Sequence, residues 1–183
     1  MSKQRIVNTD QLDLWFHQGI DLKNRIIYLD DDISTESVSG VIKAISILND
    51  LGSDPITLTI NSAGGDETAG FALYDIIRGS AAPVFTHGLG QVGSMALIVF
   101  MAGDVRTCSE RCVFMNHAGS EDLSGKPYEI ETEFRMFKQR ESWCNQILAE
   151  RSIKDVDYWK RSSVYKEVYY TRTEALEVGI ITE

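Results

Sequence analysis

The chain has 183 residues, of which 43% are hydrophobic and 25% are charged, and these values are typical of one soluble globular domain. Its formal net charge of −9 argues against binding to nucleic acid or to an anionic membrane surface. No apolar run reaches the ~18 residues that a membrane-spanning helix needs. The polar start of the chain lacks the apolar stretch of a signal peptide, so we expect a cytoplasmic location.

Short β-branched runs alternate with helical patterns, as in α/β domains. In chain order, the predicted elements are a strand at 25–29, a helix from Ser34 to Gly52, a strand at 56–60, a turn at 61–65, a helix at 67–78, a strand at 84–87, a turn at 88–93 and a helix at 94–103. No linker or repeat interrupts the pattern, which predicts a single domain over residues 1–183.

The second half of the chain continues with a strand at 113–116, a polar loop at 119–126 and the longest helix at 127–151. Pro127 suits the first position of that helix. Thr171 and Glu174 form a T-x-x-E capping box at the start of the last helix, and Gly179 is placed to end it.

Three cysteines occur, and so small and odd a number predicts reduced thiols rather than disulfides. Cys108 and Cys112 lie four residues apart, but no second pair of ligands accompanies them. Ordinary thiols are therefore favoured over a zinc site, and we predict no metal.

Two glycine-rich turns, at 61–65 and 88–93, each join a predicted strand to a predicted helix. The first N–H groups of a helix have no partner within the helix, and glycine lets the backbone approach a ligand closely. Two such turns lying side by side could direct two N–H donors at one oxygen, which is how an oxyanion hole stabilises a developing negative charge.

Ser94 directly follows the second turn, at a helix N-terminus where the macrodipole favours an anion. A serine nucleophile needs a base, and of the three histidines only His117 ends a strand next to a loop. The alternatives are that Ser94 is a helix N-cap, that His117 is structural and that the turns are ordinary. The glycines do not fit the dinucleotide-binding pattern, and Val92 and Ala96 do not fit the esterase elbow.

Four segments resemble the ClpP family, the proteolytic subunit of the Clp protease. INSAGG at 60–65, with TAG at 68–70 and YD at 74–75, resembles the family's INSPGG…TAG…YD block, and GQVGSMA at 90–96 resembles its GxAASMG nucleophile block. VFMNH at 113–117 resembles VMIHQP, and TEALEVGII at 173–181 resembles SAEEALEYGLID. The four segments follow the family's order, from about Arg25 to the end of the chain.

The resemblance implies a ClpP/crotonase-like α/β fold of repeated β-β-α units. It also implies that the helix at 127–151 protrudes as a handle joining two rings and that residues 1–24 form an N-terminal segment. The expected assembly is a homo-oligomer of two stacked heptameric rings, a tetradecamer. An AAA+ unfoldase would consume ATP and deliver polypeptides, whereas this chain would bind no cofactor, nucleic acid or membrane.

The resemblance further implies Ser94 as nucleophile, His117 as general base and the backbone N–H groups of Gly64 and Met95 as oxyanion donors. Glu167 falls at the position of the family's third catalytic residue, an aspartate. Asp155 and Asp157 are the fallbacks, which we expect to face solvent. The alternative is that Glu167 is a surface residue and the triad is incomplete.

The expected substrate groove is formed by Gly65, Asp66, Glu67, Ala118 and Gly119. Asp66 and Glu67 stand where the family has a serine and an apolar residue, so the extra negative charge predicts a preference against acidic peptides. Such departures, together with an N-terminal segment that has no clear match, are typical of a phage-encoded or specialised member of the family. The sequence therefore does not predict whether the protein docks to a standard unfoldase.

The predicted function is a serine endopeptidase subunit that cleaves unfolded polypeptides inside a closed chamber. One alternative is a crotonase-type acyl-CoA enzyme, which shares the fold but uses carboxylates instead of serine and histidine. The other is a non-catalytic ring subunit or a phage capsid-maturation (prohead-type) protease.

Overall fold

The computed structural model describes residue 14, residues 17–164 and residues 166–183. Within this part of the chain, seven strands form one sheet: β1 (Ile20–Asp21), β2 (Ile26–Leu29), β3 (Ile56–Ser62), β4 (Val84–Gly93), β5 (Val105–Cys108), β6 (Val113–Asn116) and β7 (Val168–Tyr170). The helices are α1 (Thr35–Leu51), α2 (Glu67–Arg78), α3 (Met95–Met101), α4 (Pro127–Arg151), α5 (Val156–Ser163) and α6 (Arg172–Val178).

The strand order is β1-β2-β3-β4-β6-β7, and β5 pairs with β4 outside this path. Strands β2 to β6 pair in parallel, whereas β1 and β7 are antiparallel edge strands. The carboxyl ends of parallel strands lie at one edge of a sheet, which is where α/β proteins bind ligands. The segments that follow β3, β4 and β6 meet at this edge.

Strand β4 pairs with two different strands on the same side. Residues 85–88 pair with β5, and residues 91–93 pair with β6. Gly90 lies between the two halves with φ +65°, and Asn61 Oδ1 accepts a hydrogen bond from Gln91 N at 3.1 Å. The sequence-based prediction of a turn at 88–93 is therefore wrong, because these glycines let the strand change partner instead of ending it.

The other long predicted elements are confirmed. The structure has strands and helices where the β-branched and 3.6-residue patterns predicted them, including α4 at Pro127–Arg151 with its proline at the start. The capping box is also present, since Thr171 Oγ1 accepts from Glu174 N and Gly179 ends α6 with φ +82°. Strands β1, β5 and β7 are absent from the sequence-based predictions, and α3 is shorter than expected. Most of the predicted N-terminal segment, residues 1–13, 15 and 16, lies outside the described residues.

Helix α3 lies in the centre of the core, and all seven of its side chains are buried. A helix that is apolar on every side must be covered all round, and α3 contacts both the sheet and α4. The buried guanidinium of Arg106, which is 5% exposed, donates to the carbonyl oxygens of Gly103 (3.2 Å), Arg151 (2.6 Å), Gly179 (3.1 Å) and Ile180 (2.7 Å). This residue therefore joins the C-terminal ends of α3, α4 and α6. None of the helices described here is long and apolar enough to cross a bilayer.

Candidate active site

Ser94 and His117 meet at the carboxyl edge of the sheet, where Ser94 Oγ lies 2.7 Å from His117 Nε2. Ser94 connects β4 to α3, and His117 directly follows β6. These two strands pair in parallel with Gly93 opposite Met115, and Ser94 N donates to Met115 O at 2.8 Å. Backbone pairing of the two strands thus positions the hydroxyl beside the imidazole.

Ser94 has a strained backbone, with φ 50° and ψ −125°. A non-glycine residue with positive φ is uncommon and costs about 1–3 kcal/mol, and such residues cluster at functional sites. Ser94 occupies the N-cap position of α3, but its side chain makes no cap hydrogen bond, so its hydroxyl does not serve as a helix cap. The tight turn instead presents the hydroxyl to His117.

The first glycine turn packs directly against the second. A Cβ atom at Gly64 would lie 2.7 Å from Ser94 Cβ and 3.0 Å from Met95 N, closer than a real side chain allows. Gly64 and Gly65 also have φ values of +117° and +141°, which disfavour any other residue. The absence of side chains here is what brings this backbone beside the nucleophile.

The N–H groups in this region differ in whether they already have an acceptor. Gly64 N donates to Ser62 Oγ at 3.2 Å. Gly65 forms a parallel bridge with Ile33, in which Ile33 N donates to Gly64 O and Asp66 N donates to Ile33 O. The Gly65 N–H is therefore directed away from Ile33. Neither it nor the Met95 N–H has an acceptor among the described residues.

Glu167 is exposed and directly precedes β7, where its Oε2 accepts a hydrogen bond from Tyr169 OH at 2.9 Å. In the described residues no hydrogen bond joins it to His117. The two fallback carboxylates face solvent as expected: Asp155 caps α5 by accepting from Tyr158 N at 2.7 Å, and Asp157 is exposed. The structure thus brings Ser94 and His117 together, and among the described residues no carboxylate forms a hydrogen bond with the imidazole.

Two cavities share Ser94 and His117 in their walls. An open cleft of about 330 Å³ includes three of the five expected groove residues, Gly65, Glu67 and Gly119. A smaller, more enclosed pocket of about 40 Å³ is also lined by Ala118.

Asp66, the remaining residue of the expected substrate groove, does not line either cavity. Its Oδ1 accepts from Ala69 N at 2.6 Å, which makes it the N-cap of α2. Its carboxylate therefore serves the helix and lies beside the cavities rather than in them.

Arg140 on α4 joins Glu67 to Glu121. Its Nε donates to Glu67 Oε2 at 2.6 Å, and its Nη2 donates to Glu121 Oε2 at 2.6 Å. The hydrogen bond to Glu67 is the main reason why the pKa of Arg140 is raised. The charge of Glu67 beside the nucleophile is thus compensated only in part, because Glu121 shares the same guanidinium, and the predicted preference against acidic peptides is weakened but not removed. Sequence reasoning missed Arg140, because 73 residues separate it from Glu67 and no motif links them.

The family model of the Clp protease matches residues 17–183 of this chain. The chain is 29% identical over 164 residues to the ATP-dependent Clp protease proteolytic subunit 2 of Treponema pallidum, covering 88% of this chain and 82% of that protein. It is 28% identical over 166 residues to the protein of the same name from Tropheryma whipplei, covering 87% of this chain and 90% of that protein. The chain therefore belongs to the Clp protease family of serine endopeptidases.

Proposed function

We propose that Ser94 is the nucleophile and His117 the general base of this endopeptidase. The observation that carries the proposal is the 2.7 Å separation of Ser94 Oγ and His117 Nε2. The serine oxygen attacks the peptide carbonyl while His117 accepts its proton. The same proton then passes to the leaving amine, and His117 activates a water that hydrolyses the acyl-enzyme and restores the serine.

The oxyanion that forms in this reaction needs donors that are not already engaged. The Met95 N–H, at the start of α3, meets this requirement in the described structure. In the glycine turn, the Gly65 N–H is favoured over the Gly64 N–H, because Gly64 already donates to Ser62 Oγ. Gly64 contributes instead by lacking a side chain next to Ser94 and Met95.

Glu167 is proposed as the third member of the triad. Strands β6 and β7 pair in an antiparallel manner, with Asn116 opposite Val168. His117 directly follows Asn116 and Glu167 directly precedes Val168, so both residues flank this pair. To orient the imidazole, its carboxylate must exchange the Tyr169 hydroxyl for His117 Nδ1–H. A glutamate orients the histidine in some other hydrolases with a serine nucleophile.

The working form is proposed to be a closed chamber of two stacked heptameric rings in the cytoplasm, joined through α4. Four large apolar side chains of this helix are 38–62% exposed in the single chain, and assembly would remove them from water. They are Tyr128, Phe134, Met136 and Trp143. The relatives' names describe ATP-dependent proteases. We therefore propose an AAA+ unfoldase as the partner that uses ATP, with unfolded polypeptides as substrates and no cofactor in this chain.

A fluorophosphonate probe tests the nucleophile, because it reacts with an activated serine. We expect the purified protein to be labelled, Ser94→Ala to lose all labelling and His117→Ala to lose most of it. Ser46→Ala is the matched control, since Ser46 is exposed on α1 and its hydroxyl donates only to Ile42 O. Labelling that persists in Ser94→Ala would contradict the assignment.

Two other functions predict different results. A crotonase-type acyl-CoA enzyme would not be labelled and would not cleave an unfolded polypeptide such as casein, and the family match does not favour it. A non-catalytic ring subunit would assemble without being labelled. The close contact of Ser94 and His117 favours the peptidase over both.

A further inference from the structure

The enclosed pocket beside Ser94 is lined by residues of α3 and α4 and by none of the glycine turn at 61–65. Its apolar lining includes Ile98, Cys144 and Leu148. When a serine attacks a carbonyl, the side chain of the residue that carries this carbonyl, called P1, lies next to the nucleophile. A closed pocket with Ser94 and Met95 in its wall is therefore the place for the P1 side chain.

Asn116 lines this pocket with an amide that has no partner. The residue is 6% exposed, and its buried Nδ2 forms no hydrogen bond in the described structure. Its neighbours in sequence, Met115 and His117, both line the open cleft, from which Asn116 is absent. A buried polar group without a partner is rare and costs about 1–3 kcal/mol, so it points to a ligand that completes it.

A second amide in the pocket supplies an acceptor. Asn145 is 8% exposed, and its Nδ2 donates to Glu141 O at 2.9 Å. This bond fixes the orientation of the amide, and no donor among the described residues reaches its Oδ1. The pocket walls thus contain two amide groups with unused hydrogen-bonding capacity among the described residues, the buried nitrogen of Asn116 and the oxygen of Asn145.

Each carboxylate in the pocket wall has a cationic partner. Glu67 is paired with Arg140 at 2.6 Å, and Glu141 is paired with Lys138 at 2.9 Å. Burial raises the pKa of the Cys144 thiol to about 12, so this group is neutral at physiological pH. Arg140 is shared with Glu121, so the surroundings of the pocket stay slightly negative, and the groups left to form hydrogen bonds are the two amides. This favours a neutral polar side chain over an apolar or an anionic one.

We infer that Asn116 selects peptides whose P1 side chain is small, uncharged and able to hydrogen-bond: threonine, serine or asparagine. The volume of about 40 Å³ admits a few non-hydrogen atoms and excludes aromatic and long side chains. This inference deepens the proposed function and rests on it. A polar group that must be satisfied by the substrate discriminates strongly against an isostere that lacks it.

The test compares internally quenched peptides that differ only at P1, in the isosteric pairs threonine against valine and asparagine against leucine. We expect kcat/KM to be about tenfold or more higher for the polar member of each pair. The variant Asn116→Leu should reduce the ratio of kcat/KM between the polar and the apolar member of each pair about tenfold or more. It should also raise kcat/KM for leucine and valine. That gain cannot arise from misfolding. The exposed Asn24→Leu is the matched control and should leave both ratios unchanged.

A second variant tests the pocket independently of Asn116. Cys144→Ala enlarges the pocket, so kcat/KM for glutamine at P1 should improve relative to asparagine while the preference for polar side chains persists. Equal kcat/KM within each isosteric pair, or unchanged ratios in Asn116→Leu, would overturn the inference while leaving the peptidase intact. Absence of both fluorophosphonate labelling and peptide cleavage would overturn the proposed function and the inference together.

Discussion

Arg140 on the long helix lies 2.6 Å from Glu67, the first residue of α2, through its Nε and the glutamate Oε2. The same guanidinium holds Glu121 from the loop that follows His117. This three-residue bridge therefore ties α4 and that loop to the wall of both cavities. The side chains are only 20–34% exposed, so water screens them less than it screens an ordinary surface pair.

Replacing Arg140 should destabilise the protein and disturb the site. In Arg140→Met the two glutamates lose their partner, and we expect the free energy of unfolding to fall by about 1–2 kcal/mol, measured by urea denaturation. Cleavage should fall most for acidic peptides, because the charge of Glu67 is then uncompensated. Lys138→Met is the control: its pair with Glu141 is an i,i+3 contact with a 53% exposed lysine, worth a few tenths of a kcal/mol. Equal losses in the two variants would contradict the role of Arg140.

The strained backbone of Ser94 lowers the free energy of unfolding, so a residue that adopts this conformation without strain should make the protein more stable although it is inactive. Glycine adopts φ 50° without the penalty that a Cβ atom brings. Ser94→Gly and Ser94→Ala both lose the hydrogen bond to His117, so their comparison isolates the backbone. We expect Ser94→Gly to be more stable than Ser94→Ala by about 1 kcal/mol in thermal or urea unfolding. The reverse order would show that this turn carries no strain.

Substitutions at Glu167 and at Tyr169 test whether Glu167 is the third member of the triad. If its carboxylate orients His117 in the assembled enzyme, Glu167→Gln should lower kcat about 10²-fold or more with little change in KM. Tyr169→Phe removes the hydroxyl that now holds Glu167 at 2.9 Å, and kcat should stay the same or rise. A Glu167→Gln enzyme with kcat within about twofold of the parent would make Glu167 a surface residue.

The parts of the fold that the sequence predicts are those with strong local patterns. The β-branched run at 56–60 and the helical period after Ser34 need no distant partner to be recognised. The continuation of β4 through Gly90 depends instead on pairing with β6, more than twenty residues later, so its glycines were interpreted as a turn. Short strands such as β5 carry too few residues for a period to show.

The candidate site divides in the same way. Ser94 and His117 stand at strand ends, where local sequence marks them as candidates, and the paired strands bring them together. The contact of Arg140 with Glu67 and the unpartnered amide of Asn116 arise only when distant helices and strands pack. No spacing rule links such residues, so the walls of the pocket could not be predicted although its nucleophile could.

The buried thiol of Cys112 and the partly buried thiol of Cys144 make stability depend on pH in the alkaline range. Burial raises the pKa of Cys112 and of Cys144 from the ordinary value of 9.0 to about 12. Between pH 9 and 12 the unfolded chain loses these protons while the folded chain keeps them. The unfolded state then binds fewer protons, so the free energy of unfolding falls as pH rises, by up to about 1.4 kcal/mol per pH unit for each thiol.

Urea unfolding at pH 8.0, 9.5 and 10.5 measures this dependence. Stability contributed by the neutral thiols is fully present below pH 9 and should decline steadily above it. Cys112→Ala and Cys144→Ala should each make the free energy of unfolding depend less steeply on pH, by the amount that one titrating thiol contributes. This holds whatever their effect on stability at pH 8. The slope comparison is insensitive to the other groups that titrate in this range, because they are common to all the proteins. A slope that neither variant changes would mean that water reaches both thiols in the folded state.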